Sequence, residues 1–174
     1  MTYIFSFEPI ADPHAKILIL GSIPGNRSLI AGEYYAHKHN VFWKIMADLL
    51  HFELNSSYEI KVQMLKSAHI ALWDVLKSCK RVGSLDSNIL PNSQTVNNLQ
   101  YFFNNTNLFP RCVLMGEKQK IALTAMLLTQ LEETQSNLSN FLQQAQLMLQ
   151  FPMREKLKLW QEAIFPYHSE IIPS

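Results

Sequence analysis

Between Gly21 and Trp43 the chain gathers turn-forming residues, two tyrosines, two imidazoles and a carboxamide. The order is Gly21-Ser22-Ile23-Pro24-Gly25-Asn26-Arg27-Ser28-Leu29, then Tyr34-Tyr35-Ala36-His37-Lys38-His39-Asn40-Val41-Phe42-Trp43. Glycines in a tight turn let backbone approach a ligand closely, and turn amides can face an anion. An aromatic ring on a loop can stack on an exposed base, worth ~1–3 kcal/mol per base. A carboxamide such as Asn40 can orient a water or hydrogen-bond a base. It does not titrate near neutral pH and is no strong general base. Together these groups suit a pocket that holds a flat, polar ring against a phosphate backbone.

Each feature also has a plainer reading. Gly21 to Gly25 can be an ordinary loop, Tyr34 and Tyr35 can cover the edge of the core, and Asn40 can be only a helix N-cap. Ser22 lacks a GxSxG elbow and an assigned His/Asp partner, which makes a small-molecule hydrolase a distant option. His37-Lys38-His39, with Arg27 upstream and Lys44 downstream, is a compact basic spot. Further metal ligands are not evident there, so a phosphate contact or a solvated loop is expected and no metal. Lys77, Lys80 and Arg81 can extend a phosphate-binding rim or form a solvated helix end.

These groups need a scaffold. Ile17-Leu18-Ile19-Leu20 is a continuous apolar run ending at Gly21, which reads as a central strand covered on both faces. His69-Ile70-Ala71-Leu72-Trp73, ended by Asp74, and Arg111-Cys112-Val113-Leu114-Met115, ended by Gly116, are two more. From Asn40 onward Val41, Phe42, Ile45, Leu49 and Phe52 recur at helical spacing. Ser56-Ser57-Tyr58-Glu59 is a capping-box pattern opening a helix to about Ser67. Residues 95–103 and 118–131 read as helices, and Met153, Leu157, Trp160 and Ile164 line a last one. Residues 147–151 are either a fourth strand or a helix end. Strands alternating with helices predict an α/β domain with a mainly parallel sheet of about four strands. Functional groups then gather at strand exits, so Gly21-Ser22, Asp74 and Gly116 should face one cleft.

The 174 residues predict one domain spanning 1–174, large enough to bury roughly 70% of its unfolded surface without a disulfide or metal. A formal net charge of +1 favours no partner globally, so a nucleic-acid reader would have to concentrate its basic residues locally. Cys79 and Cys112 lack ligand spacing and read as reduced thiols of a cytoplasmic protein. The N-terminus lacks a basic leader pattern, and no run approaches the ~18 apolar residues of a membrane span.

The stretch from Leu20 to Trp43 resembles motif 1 of the uracil-DNA glycosylase superfamily. It is most similar to the hypoxanthine-DNA glycosylase branch, through GSIPGNRSL and YYAHKHNVFW. The resemblance continues through Ala71-Leu72-Trp73-Asp74-Val75-Leu76 and Gly83-Ser84-Leu85-Asp86, and weakly through residues 155–160. It implies a three-layer α/β/α sandwich and a monomer. It also implies cleavage of the N-glycosidic bond of a deaminated base, hypoxanthine or uracil, in DNA, with no cofactor or metal. Carried over, Asn40 matches the catalytic asparagine and Tyr35 the aromatic that stacks on the flipped base. Gly21, Ser22, Ile23, Pro24 and Gly25 match the loop lining the base and sugar pocket, with His37 beside them. Arg27, Lys38, His39, Lys80 and Arg81 form the expected DNA-binding set.

Three positions depart from the branch pattern. Lys38 stands in place of a proline, and Met115-Gly116 in place of Asn-Gly. Residues 141–148 stand where a C-terminal L-P-S-x-S-P-A segment that grips phosphates is expected. A relative that binds DNA or another partner through the cleft without cleaving it is therefore the alternative reading.

Overall fold

A computed structural model describes residues 2–99 and, as backbone, 112–114. The apolar run after Pro13 forms strand β2 (Ile17–Gly21), buried at every position. Strand β3 (Ile70–Asp74) pairs with it in parallel on one side and strand β6 (Cys112–Leu114) on the other. The order β3-β2-β6 makes β2 central. Side chains alternate across a strand. Ile17 and Ile19, with Ile70 and Leu72, join a core formed with Phe42, Trp43, Ile45, Met46, Leu49 and Leu65. Leu18, Leu20 and Ala71, on the opposite face, are equally buried. Burial of both faces explains why the run is continuously apolar rather than alternating.

Those core partners come from helices α2 (Phe42–Leu50) and α3 (Tyr58–Ser67). Ser57 caps α3, its hydroxyl accepting from the Ile60 N–H at 3.4 Å, as the serine-rich entry predicts. The start of α2 differs from the expectation. Its N-cap is Val41, and Asn40 lies one residue earlier, where its Oδ1 accepts from the Phe42 N–H at 2.9 Å. This is an Asx-type turn leading into the helix.

The central sheet is parallel as predicted, and a second, antiparallel sheet was not foreseen. Strand β4 (Leu76–Arg81) pairs antiparallel with β1 (Thr2–Phe5) and with β5 (Thr95–Val96). The sheet system is therefore mixed. Lys77, Lys80 and Arg81 lie in a strand and not at a helix end. Thr95 and Val96, expected to open a helix, add to the edge of β4 instead. A two-residue β-branched segment supplies ladder hydrogen bonds there better than it would nucleate a helix. The expected elements at 118–131, 147–151 and 153–164, and Gly116, lie outside the described residues. Among the described residues no helix is long and apolar enough to cross a membrane.

Candidate active site

The turn leaving β2 is fixed by backbone. The Val75 N–H donates to the Gly21 carbonyl at 2.9 Å, and the Leu76 N–H to Ser22 at 3.0 Å. Ile23 packs into a small core with Leu76 and Cys79. The turn runs into a short helix, α1 (Asn26–Ala31), which Gly32 ends in the left-handed conformation at φ 69°. Ser84 reaches back to this turn, its hydroxyl accepting from the Asn26 N–H at 3.0 Å. Ser28, buried on α1, accepts from the Ala36 N–H at 3.2 Å and ties the tyrosine loop to the same turn.

These segments enclose an open cavity of about 390 Å³. That volume is in the range of small-molecule sites, ~300–1,000 Å³. Its walls contain Gly21, Ser22, Ile23, Pro24, Gly25, Tyr35, His37 and Asn40, together with Arg27 and His39. Lys38, Lys80 and Arg81, from the expected DNA-binding set, are not among the wall residues. The Lys80 ammonium lies 4.7 Å from the centre of the Tyr3 ring on neighbouring β1, a cation–π contact away from the cavity.

Arg81 corrects the expectation of a phosphate contact most directly. Its side chain is buried. Nη2 donates to the Pro24 carbonyl at 2.6 Å, Nε to the Gly83 carbonyl at 3.0 Å, and Nη1 lies 3.5 Å from Asp86. The guanidinium fastens the glycine-rich turn to the loop after β4. Its fork geometry suits two carbonyls and a carboxylate at once.

The two tyrosines divide their roles. Tyr34 is buried. Its N–H donates to the Tyr58 hydroxyl at 3.0 Å, and its carbonyl accepts from Trp43 Nε1 at 2.7 Å. Its ring meets Phe7 edge-on, so it builds the core as well as the cavity floor. Tyr35 adopts φ 55° and rests its partly exposed ring 4.3 Å from Phe42. Its hydroxyl is buried and has no hydrogen-bond partner among the described residues. Burial, with the nearby Asp74 charge, pushes both phenols well above their ordinary range.

Asp74, expected at the cleft as a strand exit, lines the cavity, and Ser28, Tyr34, Ser84 and Asp86, absent from the expected site set, line it too. Asp74 is the most consequential. In the parallel register it sits beside Gly21, and its Oδ2 accepts from the Ser6 hydroxyl at 2.7 Å. Its Oδ1 crowds the space where a Cβ on Gly21 would stand. Burial pushes its carboxyl up to about 7, the Ser6 hydrogen bond opposes the shift, Asp86 adds to it and Arg81 opposes it. The signal for it was present as a charged residue ending an apolar run. Its depth became visible only with the strand pairing.

His37 and His39 lie with ring centres 5.4 Å apart, and the His39 N–H donates to His37 Nδ1 at 3.2 Å. Among the described residues no group of three or more His, Cys, Asp or Glu could hold a metal ion.

Comparisons with known proteins agree with this architecture. The family description "Uracil DNA glycosylase superfamily" matches residues 8–168, and the chain belongs to that superfamily. It is 40% identical over 84 residues to a hypoxanthine DNA glycosylase of Methanosarcina barkeri, covering 48% of this chain and 53% of that protein. A hypoxanthine DNA glycosylase of Methanosarcina acetivorans is 39% identical over the same length and coverage. The chain thus spans about half the length of the curated relatives it matches. A solution NMR structure of a Methanosarcina acetivorans protein, provisionally assigned as a uracil DNA glycosylase, aligns with TM-score 0.63 and 28% identity. That alignment covers 74% of this chain and 78% of the other, and the fold is uracil-DNA-glycosylase-like.

Proposed function

We propose that this chain is a monofunctional DNA glycosylase that excises hypoxanthine, with uracil as a second base to be tested, in base excision repair. The observation carrying this reading is one cavity that holds the Gly21–Gly25 turn, the Tyr35 ring and Asn40 together. The names of the Methanosarcina relatives support the choice of hypoxanthine. Residues 1–174 form one three-layer α/β/α domain in this reading, acting as a cytoplasmic monomer on damaged DNA without a cofactor or metal.

The target nucleotide leaves the stack at a cost of a few kcal/mol, least at a mismatch. The Tyr35 ring, backed by Phe42, stacks on the extruded base and recovers part of that cost. The C1′–N bond then breaks with oxocarbenium character at the sugar. Asn40 hydrogen-bonds the departing base or positions the attacking water. Its Oδ1 is held by the Phe42 N–H, which sets the plane of the carboxamide. Arg27 and His39 on the cavity wall, with Lys38 between His37 and His39, supply phosphate contacts. No lysine lines the cavity among the described residues, which supports hydrolysis without a Schiff base.

The test is release of free base from duplexes containing inosine, uracil or xanthine. Hypoxanthine release by the parent is expected. Asn40→Ala should reduce it by on the order of 100-fold or more. Asn40→Asp keeps an acceptor for the Phe42 N–H and separates loss of chemistry from loss of the turn. Binding of inosine DNA with no base release at high protein concentration would instead identify a non-cleaving relative. Equal rates for Asn40→Ala and the parent would remove Asn40 from the chemistry.

A further inference from the structure

We propose that Asp74, in its protonated form, is the acid that donates a hydrogen bond and then a proton to a ring nitrogen of the departing purine. The inference rests on the glycosylase reading and assigns a second catalytic group to the same cavity. Two buried polar atoms carry it. Asp74 Oδ1 and the Tyr35 hydroxyl both crowd the point where a Gly21 Cβ would stand, the hydroxyl at 3.0 Å from it. The Tyr35 hydroxyl has no partner among the described residues, and both residues line the cavity. A buried hydroxyl without a partner costs free energy, and its place beside Asp74 Oδ1 marks this corner of the cavity as one that a bound polar group would complete.

The other side of the carboxyl is built to tolerate a change of protonation. Ser6 Oγ lies 2.7 Å from Asp74 Oδ2 and 3.2 Å from the Phe7 carbonyl. With Asp74 ionised, the Ser6 proton goes to the carboxylate. With the proton on Asp74 Oδ1, the oxygen beside Gly21, Oδ2 still accepts from Ser6. Both states keep their hydrogen bonds, so the group can cycle without orphaning a polar atom. Burial, the largest influence, holds the acid near neutral pH, where a proton donor is most effective. The charged and titratable groups facing it are Tyr34, Tyr35, Arg81 and Asp86.

The step balances without an external oxidant or reductant. The C1′–N9 bond breaks and its electron pair leaves on the purine. The Asp74 O–H bond breaks and its proton goes to N3 or N7 of that purine. Water adds to C1′ and releases one proton to solvent. The Asp74 carboxylate takes one proton back from solvent, so one water is consumed per base released. Protonating a purine before it leaves makes it a neutral and better leaving group.

The experiment is single-turnover hypoxanthine release from an inosine duplex between pH 5.5 and 9. The parent, Asp74→Asn and Ser6→Ala are compared. The parent should be fast at low pH and lose about tenfold per pH unit above an alkaline limb near neutrality. Asp74→Asn should be slower by on the order of 100-fold at low pH and lack that limb, because an amide cannot give up a proton. Ser6→Ala removes the hydrogen bond that favours the carboxylate, so the limb should move to higher pH. An active parent whose rate and limb are unchanged in Asp74→Asn overturns the inference and leaves the glycosylase reading intact. If Asp74→Asn does not fold, an unmoved limb in Ser6→Ala overturns it. A parent that releases no base at any pH overturns the glycosylase reading, and this one with it.

Discussion

Arg81 Nη2 donates to the Pro24 carbonyl at 2.6 Å, so the last residue of β4 holds the turn that leaves β2. A buried guanidinium serving two carbonyls and a carboxylate is costly to remove, since its partners are left unpaired. Arg81→Met should destabilise the protein by about 2–4 kcal/mol. Arg27, exposed at the cavity wall, should behave oppositely. Arg27→Gln should leave the unfolding midpoint nearly unchanged and reduce the slope of log K against log salt for DNA by about one. Denaturant melts and salt-dependent binding titrations check the pair. A large salt effect from Arg81→Met in still-folded protein would contradict the assignment.

Gly21 is required by what lies beside it rather than by its own backbone angles. A Cβ there would collide with the Asp74 carboxyl and press on the Tyr35 hydroxyl. Gly21→Ala should cost about 1–3 kcal/mol, as overpacking does. Adding Asp74→Ala should recover part of that loss. The coupling in the double-mutant cycle should be about 1 kcal/mol or more. Additive losses would show that the two residues do not meet.

Tyr35→Phe deletes a buried hydroxyl that has no partner among the described residues and keeps the ring against Phe42. The unliganded protein should be as stable as the parent or more stable by about 1 kcal/mol. In the proposed complex a bound polar group satisfies the hydroxyl, so affinity for inosine-containing DNA should fall by a few-fold. Thermal melts and binding to a non-cleavable inosine analogue give the two readings.

The Asp74 carboxyl has a definite signature in stability. Its folded value is raised to about 7 from an ordinary 3.8, so the folded state holds a proton that the unfolded chain has released between those values. The contribution is fully present below about pH 4 and is lost as pH rises through about 7, on the order of 4 kcal/mol in all. Urea melts across pH 4 to 8 should show this fall relative to Asp74→Asn, where the segment should flatten. Matching slopes in the two proteins would refute it.

Much of the site was legible before the fold. The turn from Gly21 to Gly25, Tyr35, His37 and Asn40 announced themselves by residue type and order, and all stand on one cavity wall. β2 and β3 were legible because two-sided burial leaves an uninterrupted hydrophobic run, and the apolar run at 112–114 was read by the same pattern. β4 was not. Lys77, Lys80 and Arg81 read as a phosphate-binding rim or a solvated helix end, yet they lie in a strand and Arg81 is buried. Only the partners of Arg81, in segments distant along the chain, reveal that burial. Asp74 was placed correctly at a strand exit, but its role depends on the pairing partner Gly21, which no local pattern encodes.

That pairing ties chemistry to topology. Sliding β3 one position along β2 would bring Trp73 opposite Gly21 and turn the carboxyl toward the other layer. The indole would then lie where the carboxyl now fills the space beside Gly21, so the observed register is the one that seats Asp74 there. Assembly of the sheet thus decides which side chain borders the cavity at Gly21.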